Sequence, residues 1–388
     1  MKTGRLRIIV SGLIAQYPMG GVTWDYLQYV LGLARLGHDV YYLEDTGQWP
    51  YNPVAREVSS TADFSVHYLA GVMSDFGLAD RWAYRFPWES RWFGLPDSQR
   101  RSVIESADLL VNVSCALQSP MEYRQARKMV YVDTDPVFTQ IKLARGQKDF
   151  RQLIDAHDVH FSYGELLAEV GPATGHRWHP LRKPIVLSEW RPSMPYREAF
   201  TTVMNWTSYK NVEYQGQAYG QKDMEFMRFL ELPREVSPTI LEMAAGSGKT
   251  KQMPSELLIR KGWHMVDPMT VCPDLSTYRT YIESSKAEWT VAKNGYVLGR
   301  VGWFSGRTAC YLAAGRPVVV QDTGFSPIIP TGEGVLAFRT LDEAIAGIKE
   351  VEGHYHRHAK AAREVAEGYF DSSKVLTRLI EESFQTDV

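Results

Sequence analysis

At 388 residues the chain is too long for one ordinary hydrophobic core, so two domains are expected. Its 43 basic and 45 acidic residues give a formal charge of -2, which excludes a general electrostatic pull toward nucleic acid or anionic membranes. Cys115, Cys272 and Cys310 lack metal-ligand spacing and cannot all pair, which points to a reducing, cytoplasmic setting.

The amino terminus carries basic residues before a short apolar run, as a signal peptide does, but Gly and polar residues soon interrupt it. A buried strand at Leu6 to Val10 explains it better. No stretch approaches the ~20 apolar residues that span a bilayer. Gly12 to Gly21 reads as a loop. Val22, Tyr26, Tyr29, Val30, Leu33 and Leu36 then recur at helical spacing, Gly37 ends that helix, and Val40 to Leu43 is the next strand. Strand, helix and strand this close predict a βαβ unit in a parallel sheet. Residues 47–105 are aromatic without clean periodicity and read as an irregular, helical insertion. Leu109 to Val113, Met129 to Val132 and Val159 to Phe161 are further short strands.

His179-Pro180, Lys183-Pro184, Arg191-Pro192 and Met194-Pro195 mark an extended connector. A second α/β pattern follows, with strands at Thr201 to Met204, Thr239 to Met243, Trp263 to Val266, Glu288 to Val291 and Pro317 to Val320. Thr340 and Glu343 form a capping box ahead of a helix. The last helix has an apolar side at Val375, Leu376, Leu379, Ile380 and Phe384.

Ala245-Gly246-Ser247-Gly248-Lys249-Thr250 ends as a P-loop does, but Met243 stands where the first Gly is required. It reads as a Gly-rich loop after a strand, facing a cleft at Gly246, where Lys249 either touches a phosphate or nucleotide or stays solvated. Asp133-Thr134-Asp135 before Pro136 admits three roles: metal binding, catalysis or acceptor binding, and a structural turn. His354, His356 and His358, among Lys and Arg, read as a solvated helix.

The densest stretch runs from Gly302 to Gly324, GWFSGRTACYLAAGRPVVVQDTG. Ser305 is a good N-cap, Gly306 lets a ligand approach the backbone, and Arg307 brings a forked cation to the helix start. Gly315 and Pro317 stop the helix, and Val318, Val319 and Val320 form a buried strand. Free N–H groups across Ser305 to Thr308, beside an Arg, suit an anion, most simply a diphosphate. The plainer alternative is an ordinary crossover with its Arg in solvent.

This stretch resembles the donor-binding segment of GT-B glycosyltransferases. The opening, with Ile8-Ile9-Val10, Gly20-Gly21 and Gly37-His38-Asp39-Val40, is similar to the amino-terminal part of that fold. The resemblance implies two Rossmann-like doubly wound α/β domains facing across a cleft. An acceptor-side domain would take residues 1–190, with the 47–105 insertion on it. A nucleotide-sugar domain would take 191–370, and a terminal helix, 371–388, would cross back to the first. It also implies sugar transfer from a nucleotide-diphosphate sugar to a small-molecule, glycan or lipid-linked acceptor, with no nucleic acid partner, no cofactor and no metal. Arg307 would meet the diphosphate, and Asp322, Thr323 and Gly324 the sugar hydroxyls. Gly20 and Gly21 would form the cleft floor, and Lys210 or Lys222 would be a phosphate cation. Asp25, Asp133 and Asp135 are the candidate bases. The retaining members carry a glutamate pair; here Gly302 and Cys310 stand near those positions. A nucleotide-sugar epimerase and a non-catalytic nucleotide-sugar binder remain alternatives.

Overall fold

The structure is a computed structural model that describes residues 4–246 and 252–385. Two open sheets organise it. The first runs in the spatial order Trp178–Pro180, Val159–Ser162, Met129–Asp133, Leu109–Val113, Arg7–Ser11, Asp39–Glu44, Trp82–Phe86 and Arg91–Gly94. All its pairs are parallel except the last, where Arg91–Gly94 runs antiparallel to Trp82–Phe86. Ile8, Ile9 and Val10 are fully buried, as an apolar run covered on both faces must be.

The second sheet has the order His264–Val266, Ile240–Gly246, Ala199–Asn205, Ala287–Thr290, Val318–Gln321 and Val335–Phe338, parallel throughout. In each sheet the first strand of the half lies inside, and the chain winds outward from it in both directions. The order therefore reverses between Arg7–Ser11 and Leu109–Val113, and again between Ala199–Asn205 and Ala287–Thr290. Ligands of open α/β sheets bind beyond the strand ends at such points.

Residues 47–105 are not an irregular insertion. They hold the helices Asp63–Asp75 and Asp97–Glu105 and two strands of the first sheet. Trp82, Ala83, Tyr84 and Phe86 are buried, so both faces of that strand are apolar and no alternation marks it. Trp178–Pro180 and Val335–Phe338 are strands that periodicity missed because each is short. The capping box of Thr340 and Glu343 forms. The histidine run is a solvated face only in part: His354 and His356 are exposed, but His358 is buried and its Nδ1 accepts the Gly334 N–H at 3.2 Å.

The last helix, Ser372–Phe384, lies against the first, Gly20–Arg35, where Gly32 makes room. A Cβ there would stand 2.5 Å from Leu376 Cδ1. Leu376, Leu379 and Ile380 are buried in this contact. Leu376→Ala is expected to cost about 2–5 kcal/mol, measured as a lower denaturant midpoint in equilibrium unfolding. An unchanged midpoint would mean the last helix is not part of the cooperative fold.

Candidate active site

The strand ends of the two sheets face each other across a cleft with a cavity of about 400 Å³. Asp25, Tyr26 and Lys183 line it from one side, and Lys222, Ser305 and Gly306 from the other. The helix Gly306–Ala313 begins there. Ser305 has N-cap geometry, but its side chain makes no capping bond. The Ala309 N–H closes the first turn on Ser305 O at 3.0 Å. Among the described residues, nothing accepts a hydrogen bond from the N–H groups of Gly306, Arg307 and Thr308. A helix start with open amides attracts anions.

Gly306 is small for a reason. A Cβ on it would stand 3.1 Å from Asp25 Oδ1 and 3.1 Å from Lys183 Cγ. Asp25 and Lys183 form an ion pair of 2.7 Å over this glycine, with the Lys183 side chain only 5% exposed and that of Asp25 51%. Lys183 sits 5.6 Å from the centre of the Tyr163 ring. Within the Pro-rich connector nothing in the sequence marked it as a cleft residue. Lys222 opens the helix Lys222–Phe226. Its ammonium makes no ion pair or hydrogen bond among the described residues. Burial, with Arg307 adding repulsion, pushes it well below the ordinary lysine range.

Arg307 is not a free cation reaching toward an anion. Its Nε donates to Glu288 Oε1 at 2.5 Å, one Nη to Val203 O at 2.5 Å and the other to Thr290 Oγ1 at 2.9 Å. The guanidinium is thus turned into the reversal point of the second sheet and fastens the helix start to it. Glu288 is fully buried, and its Oε2 has no hydrogen-bond partner. Thr308 also faces inward, 1% exposed.

In the loop after Val318–Gln321 the polar side chains find partners within the protein. Asp322 accepts Arg339 Nε at 2.9 Å and Nη2 at 2.6 Å, the Gly324 N–H at 2.9 Å and the Ser326 hydroxyl at 3.0 Å. Burial alone would raise its carboxyl, but Arg339 and these donors hold it below the usual range. Thr323 gives its hydroxyl to Trp303 O, and a Cβ on Gly324 would stand 2.3 Å from Arg300 O. The loop's residues fold it onto itself, with the side chains of Asp322 and Thr323 held by the protein's own groups.

Two of the three candidate bases are likewise committed. Asp133 is fully buried and accepts from the Asp135 N–H, Thr139, Gln140 and Ser162; burial raises its carboxyl. Asp135 reaches across to the other half. It takes Lys293 Nζ at 2.8 Å and the Tyr209 hydroxyl at 2.5 Å, and Tyr296 donates to it as well. Burial opposes ionisation there, but Lys293 outweighs it and the carboxyl lies below its ordinary value. Asp25 alone of the three lines the cleft.

Gly20 is packed into a seam, while Gly21 keeps a place on the cleft wall. Gly20 N–H donates to Cys272 O at 3.1 Å and Gly21 N–H to Cys272 Sγ at 3.3 Å, while a Cβ on Gly20 would stand 2.1 Å from Asp274 O. Lys210 is exposed and lines neither cavity. Gly246 ends its strand at the cleft, with its carbonyl accepting the Trp206 N–H at 2.8 Å. Lys249 lies outside the described residues. Among the described residues no group of three His, Cys, Asp or Glu is placed to hold a metal ion.

A second cavity, of about 570 Å³, adjoins the cleft at the strand ends of the first sheet. Tyr26, Ser114, Thr134 and Tyr296 belong to both walls.

No family model matches this sequence, and no curated protein sequence does. Solved structures do. An alpha-glucosyltransferase in complex with UDP and a 13-mer DNA matches over 99% of this chain and 100% of its own, at TM-score 0.62 and 13% identity. AviGT4, a glycosyltransferase involved in avilamycin A biosynthesis, matches over 97% of each chain at TM-score 0.55 and 12% identity. The chain has the GT-B fold. Alr3699/HepE of Anabaena, in complex with UDP and glucose, shares this GT-B architecture over 97% of this chain and 99% of its own, at TM-score 0.55 and 9% identity.

Arg307→Ala would leave the buried Glu288 carboxylate uncompensated, so the variant is not expected to stay intact, as a free cation's loss would allow. It should lose about 3–5 kcal/mol of stability, and adding Glu288→Gln should recover much of that. Urea unfolding of the single and double variants measures both.

Proposed function

We propose that this chain transfers a sugar from a nucleotide-diphosphate donor to a hydroxyl acceptor. The observation that carries this reading is the open helix start at Gly306 and Arg307, which lines the cleft together with Lys222, a lysine without an ion pair among the described residues. Neighbours of the same fold hold UDP or UDP-glucose, which supports a uridine or related donor here.

The acceptor oxygen bonds to the anomeric carbon as the bond from that carbon to the diphosphate breaks. The acceptor proton passes to a base, and the electron pair stays on the departing diphosphate. Charge growing there meets the helix dipole, the open amides and Lys222, with no divalent cation required. Arg307 acts through the backbone, by fixing where the helix starts. Asp25 is the base candidate left facing the cleft, with its carboxylate oriented by Lys183. A nucleotide-sugar epimerase needs no second pocket, so the adjoining cavity favours transfer.

A thermal-shift series with UDP, GDP, dTDP and ADP should raise the melting temperature for one of them. Saturation to 100 times Kd corresponds to about 2.7 kcal/mol. No shift with any of the four would end this reading. Burial disfavours the charged form of Lys222 and a bound phosphate favours it, so binding should take up protons above the amine's depressed pKa and tighten as pH falls toward that value. Calorimetry in buffers of differing ionisation heat should show that uptake, and Lys222→Met should abolish it.

Turnover should survive EDTA and fall by roughly 10²-fold or more in Asp25→Asn, the scale of a lost general base. Initial rates measured alongside donor affinity make the test. Full activity in the variant would remove Asp25 from the mechanism.

A further inference from the structure

The second cavity has a volume of about 570 Å³. Pockets for small organic molecules run from roughly 300 to 1,000 Å³. The rings of Tyr17, Tyr131, Phe150 and Tyr209 supply its apolar walls. Two carboxylates border it, and neither is available. Asp133 already accepts four hydrogen bonds, and Asp135 is held by Lys293 and two phenols. A carboxylate has about four acceptor directions, so Asp133 is saturated. Lys293, the other cation shared with the cleft, is neutralised by Asp135.

Lys142 is different. It comes from the helix Phe138–Ala144, is partly buried, and lines this cavity but not the donor cleft. It makes no ion pair or hydrogen bond among the described residues. Its ammonium stands 5.1 Å from the centre of the Phe150 ring. An ammonium half withdrawn from water beside aromatic walls gains from a counter-charge brought in by a ligand. The aromatic walls in turn suit the flat or ring-shaped body of that ligand.

We infer, on the basis of the donor site proposed above, that this cavity takes the acceptor as a ring-sized hydroxyl compound carrying a carboxylate or phosphate, with that anionic group seated on Lys142. The shared Tyr26, Ser114, Thr134 and Tyr296 wall then puts its hydroxyl side toward the donor.

The test uses the full chain saturated with UDP and two matched probe pairs: 4-hydroxybenzoate with 4-hydroxybenzamide, and glucose 6-phosphate with glucose. Calorimetry or saturation-transfer NMR gives the affinities. In at least one pair the charged member should bind about tenfold or more tightly than its neutral partner. Which pair shows the preference identifies an aromatic acid or a sugar phosphate as the source. Lys142→Met should erase the preference, and Lys142→Arg should keep it. Equal binding within both pairs overturns the inference on the wild-type chain alone, as does failure of all four probes to bind. A preference that survives in Lys142→Met overturns it too. UDP affinity separates the two readings: UDP bound without a charge preference sinks the acceptor assignment only, whereas no nucleoside diphosphate bound sinks the donor site.

Discussion

Glu288 is a carboxylate with no access to water, set in the strand beside the reversal point of the second sheet, and Arg307 is the cation that answers it. An isolated charge so placed is prohibitively costly, so the partner cannot be elsewhere. Because Arg307 is the second residue of its helix, the pair fixes where that helix begins and which way its first amides point. Val203 O and Thr290 bind the same guanidinium from the two strands that flank the crevice. The helix start is therefore tied to both sides of the place where an open α/β sheet receives its ligand. The amides remain free because the nearby side chain that ordinarily caps a helix, Ser305, does not do so.

Local features of this arrangement were legible in the sequence. Val318 to Val320, Ile8 to Val10 and Leu109 to Val113 announce buried strands by composition alone. Ser305-Gly306 and Gly315 with Pro317 announce where a helix starts and stops. Side-chain partners were not legible, since they come from distant strands and loops. Arg307 reads as an outward cation until Glu288 is beside it, and nothing in the sequence pairs Asp322 with Arg339. Trp82–Phe86 escaped because a strand apolar on both faces beside aromatic loops has no alternation to detect. Lys183 escaped because a lysine before a proline carries no pattern, and only folding sets it over Gly306. Lys222 was named among phosphate cations, but its burial is a tertiary fact.

Charge is unevenly distributed between committed and open groups. Asp133, Asp135, Asp322 and Glu288 all hold the protein's own donors. Lys222 and Lys142 hold none among the described residues. A chain of nearly balanced formal charge thus places lysines without an anionic partner among the described residues in its two cavities. The donor and acceptor readings both follow from this one asymmetry.

The seam at Gly20 bears on how the cleft is entered. With backbone meeting backbone at Asp274, and Asp135 gripping Lys293 and Tyr209 on another flank, the halves are fastened at two separate points. Hinging about the Pro-rich connector would break charge-assisted bonds worth roughly 1.5–3 kcal/mol each. Wide gaping is thus disfavoured, and the two halves keep one spacing across the cleft unless the Asp135 contacts are released.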